Sequence, residues 1–268
     1  MIRHWREMSA RQLSAGAART RVSVLPLAAT EAHGPHLPVG TDAMIGDGLV
    51  RRAASSLRET NPALFLPQHE VGVSIEHEAF AGTASMEAGL AADLIVAMGE
   101  AVARVGCRRL VLVTSHGGNR PVMDIAARRL RRDRAMLVAC TAWEALGDHR
   151  AIYDYASGAI DIHGGERETS LMLAIRPDLV DWEQVRDFPS AQSDFGQNAH
   201  LAAHSANATL GWASQDLNPR GVVGDASAAT ATKGEMEIAS ILKGFATLIE
   251  EVAAAPLPDA EAAYPTLS

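Results

Sequence analysis

The stretch "RRLVLVTSHGGN", residues 108–119, decides how the rest of the chain is read. Residues 108–114 form a near-continuous apolar run, the pattern of a strand buried on both faces, and SHGGN follows with no linker. RPVMDIAARRLRR then reads as a helix, with Asn119 available as its cap and Pro121 in the first turn, where a missing N–H is harmless. AMLVACT, 135–141, is a second buried strand. On the other side, MEAGLAADLIVAMGEAVARVG, 86–106, reads as a helix with Ser85 as N-cap and Gly106 as C-cap.

Further out, VSVLPLA, 22–28, is a β-branched apolar strand, and residues 43–58 place Ile45, Leu49, Val50 and Ala53 at helical spacing. ALFLP, 63–67, is another strand. The rhythm of strand, loop and helix predicts an α/β fold with a mostly parallel sheet covered by helices on both faces. Residues 186–232 show no clear periodicity and read as a long loop serving as a lid or subunit contact, or ordered only by its neighbours. KGEMEIASILKGFATLIEEVAAA is a terminal helix, and the last dozen residues are a loose tail. No Pro/Gly-rich linker separates two patterned halves before residue 186, so one domain is expected over 1–268, with its core at about 22–255.

The chain has 268 residues, 47% of them hydrophobic and 21% charged, the balance of a soluble protein with one substantial core. A formal charge of −8 with thinly spread arginines argues against a nucleic-acid binder. Cys107 and Cys140, each beside an expected strand, offer neither a disulfide framework nor a thiolate zinc site and are expected to be small buried core residues. No apolar run reaches the length of a membrane span and the N-terminus lacks a signal-peptide pattern, so neither a membrane nor a membrane partner is expected and the cytoplasm is the expected location.

The chemistry gathers in loops that leave the C-terminal ends of strands, where ligands of such sheets bind. In EAHGPHLPVGTD, 31–42, Glu31 and His33 are two apart and point to one side if strand geometry continues past Thr30. Gly34, Pro35, Pro38 and Gly40 bend the chain and can return Asp42 toward them. These ligand types suit a borderline divalent cation. His116 stands at the end of the strand at 108–114, and Gly117 and Gly118 let the backbone approach whatever it holds. In DIHGGERETS, 161–170, His163 again precedes paired glycines. Glu166 and Glu168 lie about 200° apart on a helix, so only one can face the site, and Glu168 is the expected one. Ser74, Glu76 and His77 lie on the loop after the second strand. His36 either supports the site or is solvated, since His33 already holds the ligand position. His4, His69, His149, His200 and His204 are expected at the surface or in loops, and Trp143 and Trp212 in the core or lining a pocket.

EAHGPHLPVGTD, GVSIEHEAFAGTAS, SHGGN, HGGERETS and GVVGDASAATATKGE occur in an order and spacing that resembles the creatininase (creatinine amidohydrolase) family, from about Val22 to Glu235. The resemblance implies a three-layer α/β/α enzyme, commonly hexameric, with two divalent metals per subunit. On it, Glu31, His33, Asp42 and His116 fall on metal-ligand positions, with Asp42 bridging both ions. His163 falls on the catalytic histidine, Glu168 on a glutamate near the metals, and Ser74 close to bound substrate. Creatininases proper resemble NGHYEN where this chain has SHGGN. The glutamate ligand of that stretch is therefore missing, and Glu168 is expected to replace it. A tryptophan that precedes the catalytic histidine by four residues is replaced by Ala159. Creatinine is therefore not the expected substrate. Family members with Gly-Gly at this point resemble deformylases, peptide-trimming enzymes of cofactor maturation and sugar-ring hydrolases.

The expected activity is hydrolysis of a C–N amide or formamide bond, other than a peptide bond, in a small cyclic substrate. Two ions of zinc, manganese or iron type would activate a water. His163 would move the proton to the leaving nitrogen, and the Gly117 and Gly118 N–H groups would help hold the oxyanion. Two rivals remain: a sugar-ring or cyclic-ketone C–C hydrolase on the same site, and a catalytically silent metal-binding scaffold. A homo-oligomer is expected from the resemblance alone.

Overall fold

Four strands, β1 (Val22–Leu27), β2 (Ala63–Phe65), β3 (Arg109–Thr114) and β4 (Leu137–Ala142), pair in parallel in the order β2-β1-β3-β4. The structure is a computed structural model that describes residues 2–153, 161–191, 200–202 and 208–259. Ala159, His204 and the end of the expected tail lie outside the described residues.

Alternation along the strands sorts their side chains to two faces. Val22, Val24, Val111 and Val113 face one cluster, and Leu25, Leu27, Leu110 and Leu112 face the other. The first cluster is closed by α2 (Thr41–Ser56), α5 (Glu166–Ile175) and α7 (Ala231–Ala254), through residues such as Leu49, Leu171 and Phe245. The second is closed by α3 (Ala88–Arg104) and α4 (Arg120–Arg134), through Ile95, Val102, Met123 and Leu130. The expected α/β sandwich with a mostly parallel sheet and helices on both faces is therefore the observed one. Two small helices, α1 (Ala10–Ser14) and α6 (Ser214–Leu217), lie outside this frame.

Several expectations shift in detail. The cap of α3 is Glu87 rather than Ser85, and Gly106, at φ +83°, ends that helix in the left-handed region. Asn119 precedes α4 but caps nothing with its side chain. Its Oδ1 accepts the Val73 N–H at 3.0 Å and its Nδ2 donates to the Ala28 carbonyl at 3.0 Å, so it ties three loops together. β4, expected as a buried strand, is the edge of the sheet and mostly half-buried, which leaves Cys140 exposed while Cys107 is buried. Position in the sheet decides this, and an apolar run alone does not state it.

The aperiodic segment 186–232 contains α6 and short strands: β5 (Asp187–Phe188), β6 (Leu201–Ala202), β7 (Ala208–Thr209) and β8 (Gly224–Asp225). β5 pairs with β8, and β6 with β7. Among the described residues, no helix is long and apolar enough to cross a membrane.

Candidate metal centre

β1 and β3 deliver their loops to one rim of the sheet. After β1 the Glu31 N–H binds the Val39 carbonyl at 2.9 Å, which folds 31–39 back on itself. Gly34 makes the turn at φ +69°, and a Cβ there would lie 2.5 Å from Val222, so the position needs glycine on both counts. The chain re-enters at α2 with Asp42 in its first turn.

Glu31, His33, Asp42, His116 and His163 are all buried, from 0% to 8% exposed, and they converge. His116 Nδ1 lies 3.1 Å from Glu31 Oε1 and 3.6 Å from Asp42 Oδ2. His33 Nε2 lies 3.8 Å from Asp42 Oδ1 and 3.5 Å from Glu168 Oε2, and His163 Nδ1 is 3.6 Å from Glu31 Oε1. Glu168 is thus the acidic residue of α5 that faces the cluster, whereas Glu166 pairs with Lys233. The Gly164 N–H donates to Glu168 Oε2 at 2.7 Å and fixes that carboxylate.

Each of three histidines has its far nitrogen held by a backbone carbonyl. His33 Nδ1 meets Glu31 O at 3.0 Å, His116 Nε2 meets Val73 O at 2.7 Å and His163 Nε2 meets Ala32 O at 2.8 Å. The carbonyl fixes the N–H on that side and turns the lone pair of the other nitrogen toward the carboxylates, the usual arrangement behind a metal-binding imidazole.

Both Glu31 oxygens, Asp42 Oδ2 and His33 Nε2 are buried without a hydrogen-bond partner. Unpaired buried polar atoms are costly. Four of them gathered in one cluster fit a cation-binding site. Glu31, Asp42 and His116 offer ligand atoms within 4.8 Å of one another, and so do His33, Asp42 and Glu168. Asp42 belongs to both sets, so the residues present fit a divalent cation. Glu31, His33 and His163 form a third such group.

The electrostatics agree with that fit. Burial would raise the Glu31 carboxyl, but the charge of His116, with His163 and His77 behind it, holds it well below the ordinary carboxylate range. Asp42 is pushed well above its ordinary value by burial and by repulsion from Glu31. Burial would lower His116, yet Glu31 and then Asp42 raise it to about 10. His33 is lowered to about 4 by burial and by the charge of His163. Without a metal the cluster favours protons on His116 and Asp42, and ions binding there would compete with them.

Ser74 is buried, with Oγ 3.4 Å from His116 Nε2; it stands behind that ring and not on the cavity wall. Gly117 and Gly118 do line the cavity. His36 is a support, its Nε2 3.0 Å from Thr169 Oγ1, beside Glu168. The loop group His77 turns out to be central, because its ring stacks on His163 at 4.1 Å and its Nε2 is 3.6 Å from Glu31 Oε1. The sequence signal was a histidine on a third loop leaving the same sheet edge. Trp143 both packs on Phe245, at 5.0 Å between ring centroids, and lines the cavity, as does Trp212.

Over this cluster opens a cavity of about 720 Å³, within the usual range for small-molecule sites. The sequence profile of the creatininase (creatinine amidohydrolase) family matches residues 6–249. The chain belongs to the creatininase family. It is 34% identical over 224 residues to a mycofactocin precursor peptide peptidase of Mycobacterium ulcerans (strain Agy99), covering 82% of this chain and 80% of that protein. It is 33% identical over 203 residues to a creatinine amidohydrolase of Pseudomonas putida, covering 70% and 75%. A solved creatininase described with manganese superposes with a TM-score of 0.75 at 27% identity, covering 95% of this chain and 100% of that one. This creatininase-family protein is a metal-dependent hydrolase, and its relatives include a peptide peptidase and a creatinine amidohydrolase.

Proposed function

We propose that this creatininase-family protein hydrolyses a C–N amide bond with two divalent ions, of zinc, manganese or iron type, held by Glu31, Asp42 and His116 on one side and His33, Asp42 and Glu168 on the other. The observation that carries the reading is the pair of carboxylate–imidazole sets sharing Asp42 at the floor of the cavity. Amide cleavage is also the chemistry common to the peptidase and creatinine amidohydrolase relatives. When bound, such an ion pair acidifies a shared water and polarises the amide carbonyl.

His163 holds its Nε2 proton on the Ala32 carbonyl at 2.8 Å and presents Nδ1 to the cavity. It takes the proton of the attacking water at Nδ1 and delivers it to the leaving nitrogen, so that amide and water become carboxylic acid and amine. His77, stacked on it, fixes the plane of that ring. Assembly as a homo-oligomer, a hexamer as the resemblance implies, belongs to the same reading and is checked by light scattering.

Dialysis against a chelator should abolish amide hydrolysis, and reloading with Mn²⁺ to about two ions per chain should restore it on part of a panel of N-alkylformamides, lactams and short peptides. Two bound ions with no turnover anywhere in the panel would refute the reading.

A further inference from the structure

Adjacent glycines beside His116 have opposite surroundings. A Cβ on Gly118 would lie 2.3 Å from the Val73 carbonyl oxygen and 2.4 Å from His116 Nε2, so that position is closed. A Cβ on Gly117 would meet nothing within 4 Å, and Gly117 is exposed on the cavity wall. Its φ is not in the positive region, so no backbone strain demands glycine there. The same wall continues through the 73–77 turn to residues 212–214: Ser214 Oγ donates to the Glu76 carbonyl at 3.0 Å, and Trp212 packs edge-on against His77 at 6.4 Å. This side of the cavity carries large apolar groups open to solvent, Ile75 at 63% and Leu210 at 37% exposure. Apolar surface left uncovered inside a site gains free energy when a ligand covers it.

We propose that Gly117 keeps open an apolar arm of the cavity, bounded by Ile75, Leu210 and Trp212, that binds an apolar substituent of the substrate. The substrate is then an extended amide with a hydrocarbon or aromatic chain, in place of the small bare ring expected from the sequence. This rests on the amide-hydrolase reading, since it places the scissile bond over the metal cluster and the chain along Gly117.

Hydroxamates chelate divalent ions, so they report on the arm without turnover. Mn²⁺-loaded protein is titrated by calorimetry with acetohydroxamate and with 3-phenylpropionohydroxamate. Wild type should bind the longer ligand about tenfold tighter, the effect of burying a phenyl group. Gly117→Phe, which puts a side chain into open space on the cavity wall, should remove that preference with metal content unchanged, and Ile75→Ser should reduce it in a chain whose glycine is intact. Equal affinities in wild type, no binding of either ligand, or a Gly117→Phe protein that keeps the full preference would each overturn the proposal. A preserved preference in wild type with no amide hydrolysed would count against the amide reading while supporting the arm.

Discussion

Glu166 and Glu168 leave the same turn of α5 and meet different partners. Glu168 reaches His33 Nε2 at 3.5 Å, while Glu166 pairs with Lys233 at the foot of α7. The helical period says only that two residues about 200° apart cannot both face one site, and the choice of Glu168 rests on the family resemblance. Glu31, His33 and His116 were legible because each follows closely on an apolar strand, and Asp42 because the glycines and prolines of 34–40 can turn the chain back toward them. His77 was legible only as a histidine on a third loop leaving the same sheet edge, and its stacking on His163 and its approach to Glu31 at 3.6 Å assign its place. The ligand assignment predicts a contrast. Glu168→Gln should lower tightly bound metal from about two ions per chain to about one, since a neutral amide is a much poorer ligand for a hard or borderline cation. Glu166→Gln should keep both. Metal analysis after gel filtration reads the difference, and equal occupancy in the two variants would remove Glu168 from the ligand set.

At the scale of elements, α5 carries Glu168 and is held by α7 through charge as well as apolar packing. Arg167 Nε donates to Glu237 Oε1 at 2.7 Å, the Tyr153 hydroxyl donates to Glu237 Oε2 at 2.8 Å, and Arg167 also binds Glu144 at 2.8 Å. Glu237 is fully buried. Gly234 permits the close approach, because a Cβ there would lie 2.0 Å from the Ser170 carbonyl oxygen. Both helices could be read from the sequence, but their pairing could not: a charged residue in the middle of an amphipathic helix gives no sign of whether it meets water or a partner 70 residues away. Removing one member of a buried ion pair leaves the other uncompensated, typically at about 3–5 kcal/mol. Glu237→Ala should therefore lower the unfolding free energy by roughly that amount in urea titration, with the m-value unchanged. A loss within the ordinary surface range of about 0.5 kcal/mol would mean that Arg167 is satisfied by Glu144 alone.

For the whole molecule, the same cluster that would bind ions sets how stability depends on pH. In the metal-free chain His116 is raised to about 10 by Glu31 and Asp42, with Glu76 also facing it. A raised histidine contributes stability that is complete below its unfolded value near 6.5 and is lost as pH climbs through about 10. Asp42, also raised, adds in the same sense, because ionising it beside Glu31 in a buried site costs free energy. Glu31 is depressed, so its contribution is present above the ordinary carboxylate value and is lost in acid. His33 and His36, lowered to about 4, and His77, lowered to about 2, act in the opposite sense, because protonating them in the unfolded chain below about 6.5 favours unfolding. The metal-free protein should therefore be most stable near pH 6.5 and should weaken steadily toward pH 10. Bound ions reverse the slope, since they replace the protons of His116 and Asp42 and bind more tightly as those protons leave. They stabilise the fold by RT ln(1 + [M]/Kd), about 2.7 kcal/mol at a hundredfold excess over Kd. The gap between the melting temperatures of metal-loaded and metal-free protein should consequently widen as pH rises from about 6 to 9, measured by scanning calorimetry at fixed free Mn²⁺. A gap that stays constant across that range would mean that the ions do not compete with protons for His116 and Asp42, and the two-set assignment built on Asp42 would have to be abandoned.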